Sequence, residues 1–148
     1  MNLKTMARVF GVVFLLVGVL GFIPGINQMQ HDHGDLRVTG PGTGYLLGLF
    51  HVNVLHNIVH LLFGVWGLAA GGSVAGSRIY FRGVGVIYAV LAVLGLIPTA
   101  NIWNTFGLIP IHGNDVWLHA IIAIAALYLG FAAKASDVTD ATTPPTPT

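Results

Sequence analysis

The chain has 148 residues, of which 55% are hydrophobic and 7% are charged, and its formal net charge is +1. Its mean hydropathy is +0.80 and it contains no Glu, a composition that predicts an integral membrane protein. The absence of cysteine excludes disulfides, thiolate metal sites and cysteine catalysis. The sequence contains no basic patch of the kind that would indicate a nucleic-acid partner.

Four apolar segments approach the length of about 20 residues that a helix needs to cross a bilayer core. Pro24 and Pro98 close the first and third, while Asn53 and Asn114 are predicted N-caps of the second and fourth. The run 46–50 is predicted to form a separate helical turn or an extension of the second helix. The predicted spans are residues 6–23, 53–70, 79–97 and 115–133.

The four segments form an internal repeat. Residues 8–24 align with 82–98 at an offset of 74, with eight of 17 positions identical. Residues 48–68 align with 107–127 at an offset of 59, with four identities that include His60 and His119. The predicted fold is therefore all-α: an integral membrane four-helix bundle made of two repeated helical hairpins. With two spans in each repeat, the hairpins are related by a parallel pseudo-two-fold axis along the membrane normal.

The positive charges predict the orientation. In a four-span arrangement one side carries five of the six basic residues, and the other side carries only Arg37. The positive-inside rule then predicts a multi-pass protein of the cytoplasmic (inner) membrane with both termini cytoplasmic. Residues 1–134 are predicted to form a single four-span domain, and residues 135–148 a disordered cytoplasmic tail. The five basic residues on one side are Lys4, Arg8, Arg78, Arg82 and Lys134.

The second and fourth helices each carry a stripe of polar and small residues at helical spacing. We expect the two stripes to face each other. Their small residues would then bring the two backbones close together, and their polar residues would meet at the extracytoplasmic end. The stripes are His56, His60, Gly64 and Gly67 on the second helix, and Asp115, His119, Ala123 and Ala126 on the fourth.

His56, His60, Asp115 and His119 are the candidate ligands of a metal ion. Two ligands four residues apart on one helix point to the same face, as in helical His-x-x-x-His sites. Three imidazoles and one carboxylate suit Zn, Fe, Cu, Ni or Mn. A second interpretation places a haem between His60 and His119 as axial ligands. The side chains expected to surround and orient these ligands are Asn57, Asn53, His51 and His112.

Other interpretations of the cluster stay open. The same residues can form a hydrogen-bonded network that packs helices in a non-catalytic accessory protein, with the bilayer and a homo-oligomer or larger membrane complex as partners. A role in proton or solute handling is a third interpretation. If the site is an enzyme's, an open coordination position would activate water or dioxygen. The segment 31–35 contains two histidines and two aspartates. It is interpreted as a polar loop in preference to a second ion site.

The segment GLFHVN at 48–53, followed by the motifs LHN at 55–57 and WLH at 117–119, resembles the signature of a bacterial domain-of-unknown-function family, number 4383. The resemblance covers nearly all of the chain except the tail. It implies a small four-helix membrane protein and supplies no activity. One departure is His51, which stands where the motif is expected to have proline, as Pro110 stands in the second repeat.

Overall fold

The structure is a computed structural model, and it describes residues 2–29, 41–97 and 105–133. The predictions that lie outside these residues are the polar loop 31–35, the tail 135–148, the helix-closing Pro98 and the positions of Arg37 and Lys134.

The described residues are mostly helical and form four main helices. The first, third and fourth are long and apolar enough to cross a membrane, the fourth when counted as Asn114–Ala132; the second, with 17 residues, is a shorter apolar helix. Many large apolar side chains on these helices are exposed, as a lipid environment requires. The helices overlap the four predicted spans, although the third begins at Val74 instead of residue 79. They are α1 (Leu3–Leu20), α2 (Val54–Ala70), α3 (Val74–Gly95) and α4 (Asn114–Leu127), which continues as a π-helical turn, Tyr128–Ala132.

A small antiparallel sheet precedes α2, with strands β1 (Asn27–Met29), β2 (Gly44–Leu46) and β3 (Phe50–Val52) in the order β1-β2-β3. We call the end of the bundle that carries this sheet and the 3₁₀ turn Thr105–Gly107 the sheet end. The opposite end, with the N-terminus and the α2–α3 connection, is the turn end.

The helical turn predicted at 46–50 is wrong, because these residues comprise the end of β2, the connecting turn and the start of β3. Leu47 and Gly48 have φ values of 55° and 70°, in the left-handed region, which a right-handed helix does not use. Their equivalents at an offset of 59, Phe106 and Gly107, also have positive φ, at 60° and 90°.

The helix caps confirm one of the two predicted N-caps. The side chain of Asn53 accepts a 2.8 Å hydrogen bond from the backbone amide of His56, and so caps α2. Asn114 is instead the first residue of α4, and its side-chain amide donates to the Leu49 carbonyl at 3.2 Å. Gly113, the residue before α4, makes no side-chain cap.

The close helix pairs are α1 with α2 and α3 with α4. A Cβ on Gly11 of α1 would lie 2.8 Å from the Gly64 carbonyl oxygen, and one on Gly67 would lie 2.8 Å from the Gly11 Cα. The small residues of α2 therefore pack on α1. Within the described residues, α2 and α4 are not in broad contact, so the predicted close approach of these two helices is wrong. A stripe of small residues indicates that a backbone comes near but does not specify which one.

The same backbone approach recurs between α3 and α4. A Cβ on Gly11 would lie 2.7 Å from the Leu68 nitrogen, and one on Gly85 would lie 2.9 Å from the Leu127 nitrogen. Gly85 is Gly11 shifted by 74 residues, and Leu127 is Leu68 shifted by 59. Side chains at these two glycines would overlap the neighbouring helix.

Candidate functional site

A largely enclosed cavity of about 130 Å³ lies at the sheet end. Its wall includes all four side chains predicted as metal ligands: His56, His60, Asp115 and His119. Most of the remaining wall is apolar and comes from α1, the β2–β3 hairpin and α4. Those residues are Val17, Leu20, Leu46, Leu47, Phe50, Val52, Leu118 and Ile122.

His56 and His60 lie one turn apart on α2, with ring centroids separated by 4.2 Å. Both side chains are buried. The ring nitrogen Nδ1 of His60 lies 3.0 Å from the His56 carbonyl oxygen, a contact in which Nδ1–H donates and which leaves Nε2 with its lone pair. Nδ1 of His56 is buried and has no hydrogen-bond partner among the described residues.

The rings of His60 and His119 each pack edge-on against an aromatic side chain of a neighbouring helix. Phe14 contacts His60 at a centroid separation of 5.5 Å, and Tyr88 contacts His119 at 5.0 Å. Tyr88 is Phe14 shifted by 74 residues and His119 is His60 shifted by 59. Phe14 and Tyr88 also contact each other, with centroids 5.5 Å apart. The two histidines therefore flank a central aromatic pair contributed by α1 and α3.

Asp115 is 2% exposed and lies in the first turn of α4, where a negative charge interacts favourably with the helix dipole. Its Oδ2 accepts a 3.3 Å hydrogen bond from the backbone amide of His51. It is the one carboxylate side chain among the described residues. The described lysine and arginines all lie at the turn end, where Arg78 and Arg82 bond the carbonyls of Ala133 and Gly130. None of these described basic side chains therefore lies beside the carboxylate.

His51 and His112 lie beside Asp115 at the sheet end. The His51 ring stacks on Tyr45 at a centroid distance of 4.8 Å and meets the His112 ring edge-on at 5.5 Å. Burial, with a smaller contribution from the neighbouring His112, lowers the pKa of His51 to about 4. His51 is therefore a neutral imidazole at neutral pH.

The two asparagines predicted to orient ligands have different surroundings. Asn53 caps α2, and its side-chain amide donates to the Leu108 carbonyl at 2.7 Å. Asn57 is 1% exposed, and its amide nitrogen and oxygen have no hydrogen-bond partner among the described residues. Its side chain packs against Gly21, where a Cβ would overlap it. Neither asparagine lines the 130 Å³ cavity.

A second, smaller cavity of about 50 Å³ lies beside the same histidines. His56, His60 and His119 line both cavities, whereas Asp115 lines only the first. The rest of the second wall comes from α2, α3 and the segment that includes the 3₁₀ turn. Those residues are Val59, Phe63, Tyr88, Leu91, Thr105, Ile109 and Ile111.

The four predicted ligands share a wall but do not yet converge. Within residues 2–29, 41–97 and 105–133, no three His or Asp side chains meet closely enough to hold a metal ion. Coordination would therefore require ring rotation into the cavity, since metal–nitrogen bonds are about 2 Å long.

Two contributors to the site were missed from the sequence. One is the backbone amide of His51, which strand β3 directs at Asp115, and no side-chain pattern signals a main-chain donor. The other is the Phe14–Tyr88 pair, which the 74-residue offset could have identified as equivalent positions.

The chain matches a known protein family. The family model described as Domain of unknown function (DUF4383) matches residues 4–132. The chain belongs to this family. No curated protein and no solved structure matches it. The family assignment agrees with the predicted resemblance and leaves the activity to be argued from the site.

Proposed function

We propose that this chain is a membrane protein that binds a divalent transition-metal ion through His56, His60, Asp115 and His119. The observation that carries the proposal is the Asp115 carboxylate, which is buried at the wall of a cavity also lined by three imidazoles. A buried carboxylate without a cation is costly. A metal ion in the cavity would compensate its charge, and neutral imidazoles are suitable further ligands.

The hydrogen bond of His60 supports this proposal. A histidine that binds a metal through one ring nitrogen almost always donates the other N–H to a carbonyl or carboxylate. The contact of His60 Nδ1 with the His56 carbonyl has this form. It orients the ring and leaves Nε2 for the metal.

The ligand set favours an ion over a haem. Three imidazoles and one carboxylate suit Zn, Fe, Cu, Ni or Mn, and a bound ion supplies Lewis-acid or redox chemistry. The cavity of about 130 Å³ is too small to enclose a porphyrin. The glycines below the histidines, Gly64 and Gly67, are covered by α1 and leave no slot for one.

The test is metal analysis of the protein purified in mild detergent without chelator, together with a visible spectrum. Wild type is compared with the double variant His60→Ala/His119→Ala. The matched control is His31→Ala/His33→Ala, which also removes two histidines but outside the described residues. We expect one ion per chain in wild type and control, and none in the His60/His119 variant. Equal metal content in all three proteins, or no ion in any, would contradict the proposal.

We infer further that the two hairpins are a repeat and that both termini are cytoplasmic. The recurring contacts of Gly11 and Gly85 with the neighbouring helices support the repeat. The described basic residues all lie at the turn end, which supports the orientation. Because the chain lacks cysteine, single substitutions Leu47→Cys and Gly72→Cys can be labelled in intact cells with an impermeant maleimide. We expect labelling of the Leu47→Cys variant alone. Labelling of the Gly72→Cys variant alone would show that the termini lie on the opposite side of the membrane.

The alternative function is a non-catalytic accessory protein in which the cluster packs helices. Among the described residues, no side-chain to side-chain hydrogen bond joins His56, His60, Asp115 and His119. This gives the network less support than a bound ion. Metal-free wild-type protein that crosslinks to a partner in membranes would favour the accessory function.

A further inference from the structure

The two cavities at the sheet end have matching walls. Leu91, Ile109 and Ile111 of the second cavity are the equivalents of Val17, Phe50 and Val52 of the first, at the offsets of 74 and 59.

The match extends over nearly the whole second wall. His60 and His119 exchange places under the same offsets, and both line both cavities. Of the residues that line the second cavity, only Tyr88 lacks an equivalent in the wall of the first, because Phe14 lies outside it. Two unrelated cavities would not have equivalent residues at nearly every position of their walls.

Two contacts between the halves at the sheet end follow the symmetry in part. Asn53 donates to the Leu108 carbonyl, and Asn114 donates to the Leu49 carbonyl. The two acceptors are equivalent, because Leu108 is Leu49 shifted by 59 residues. The two donors are two residues out of register, because the equivalent of Asn53 is His112.

One position breaks the equivalence. Asp115 corresponds to His56, so a carboxylate is present in the wall of the first cavity and absent from the second. The hydrogen-bond donor to that carboxylate is also present on one side only. His51 supplies a backbone N–H, whereas its equivalent Pro110 has none. The second cavity is also narrower where Phe63 and Leu91 replace Ile122 and Val17.

We propose that the second cavity is a second copy of the binding chamber, and that residues 56 and 115 determine which copy takes the metal cation. This inference rests on the proposed function. In the wild type the carboxylate places the cation in the first chamber. Because residue 56 lines both chambers, exchanging the residues at 56 and 115 places the carboxylate in both walls and opens the second chamber to the cation.

The test is a rescue experiment followed by chamber-specific blocking. Asp115→His removes the carboxylate and is expected to weaken cation binding at least about tenfold. Adding His56→Asp restores the composition of the site and is expected to restore binding. An extended variant that also carries His51→Pro and Pro110→His supplies the amide donor on the exchanged side.

Blocking substitutions then locate the ion. Leu118→Phe narrows the first chamber, and Val59→Phe narrows the second at the equivalent position. Wild type should lose Zn²⁺ affinity with Leu118→Phe and keep it with Val59→Phe, measured by calorimetry in detergent. The exchanged protein should keep its affinity with Leu118→Phe, because the second chamber then remains open to the ion.

The outcomes separate the two proposals. No binding by wild type overturns the proposed function, and this inference with it. Binding by wild type without rescue in either exchanged variant overturns this inference alone, as does a rescued protein that remains sensitive to Leu118→Phe. Circular dichroism and gel filtration report folding. Failure of both exchanged variants to fold counts against the equivalence, since equivalent positions should tolerate the exchange.

Discussion

The backbone amide of His51 donates a 3.3 Å hydrogen bond to Oδ2 of Asp115, which lies 64 residues away in the chain. This bond joins strand β3 in the first half of the chain to the first turn of α4 in the second half. Because the donor is a main-chain amide, the bond fixes the carboxyl group without supplying a positive charge. A cation bound in the cavity would supply that charge.

Asp115→Asn should remove ion binding without destabilising the ion-free protein. The amide is similar in size and needs no counter-charge, so the cost of a buried carboxylate disappears. Thermal unfolding in detergent, with and without Zn²⁺, measures this. Wild type should gain about 3 kcal/mol at a Zn²⁺ concentration of about 100 times Kd, and the variant should gain nothing. Asp137→Asn, outside the described residues, is the control. An equal Zn²⁺ response in the variant would show that Asp115 is not a ligand.

His51→Pro should weaken the fixation of Asp115 while keeping the strand. Pro110 already occupies the equivalent position and is fully buried. The substitution removes the amide donor to Asp115, at a cost of about 1–3 kcal/mol for a hydrogen bond to a charged group. His51→Ala keeps the amide and is the control. Chemical unfolding in detergent should give a lower free energy of unfolding for the proline variant than for the alanine variant. Equal free energies would mean that this bond contributes nothing to stability.

The pH dependence of stability should reflect His51. Burial lowers its pKa to about 4 in the folded protein, compared with 6.5 for an unperturbed histidine. Between these values the unfolded state binds more protons, so stability falls as the pH decreases from 6.5 to 4 and levels off below. Tm measured across this range should decline less steeply in His51→Gln than in wild type. Parallel declines would assign the effect to other groups.

The sequence predicted four apolar helices, and the part of the chain that the structure describes contains four in overlapping positions. It also predicted that residues on the second and fourth helices would meet, and His56, His60, Asp115 and His119 do line one cavity. The sheet was missed because strands of three residues are too short to show alternation. The helix pairing was wrong because glycine in a stripe is equally compatible with any neighbouring backbone.

Gly11→Val and Gly85→Val should destabilise the protein by similar amounts. At each position a Cβ would lie less than 3.0 Å from a backbone nitrogen of the adjacent helix, and overpacking of this kind costs about 1–3 kcal/mol. Val12→Leu and Val86→Leu, at exposed positions next to these glycines, are controls that should change little. Tm in detergent reports the effect. A large loss at Gly11 with none at Gly85 would contradict the repeat.

Asn57→Val should stabilise the protein. Its side-chain amide is buried and lacks partners among the described residues, and an unsatisfied buried polar group costs about 1–3 kcal/mol. Valine is already accommodated at the equivalent position, where Val116 packs against Gly95 as Asn57 packs against Gly21. The free energy of unfolding in detergent should therefore increase by about 1 kcal/mol, somewhat less than the full penalty because the amide and valine differ in shape. Val116→Asn is the reciprocal variant and should be destabilised. A loss of stability in Asn57→Val would instead show that the amide bonds a water or a ligand in the intact site. Metal content measured on the same preparation would distinguish a water from a metal-linked ligand.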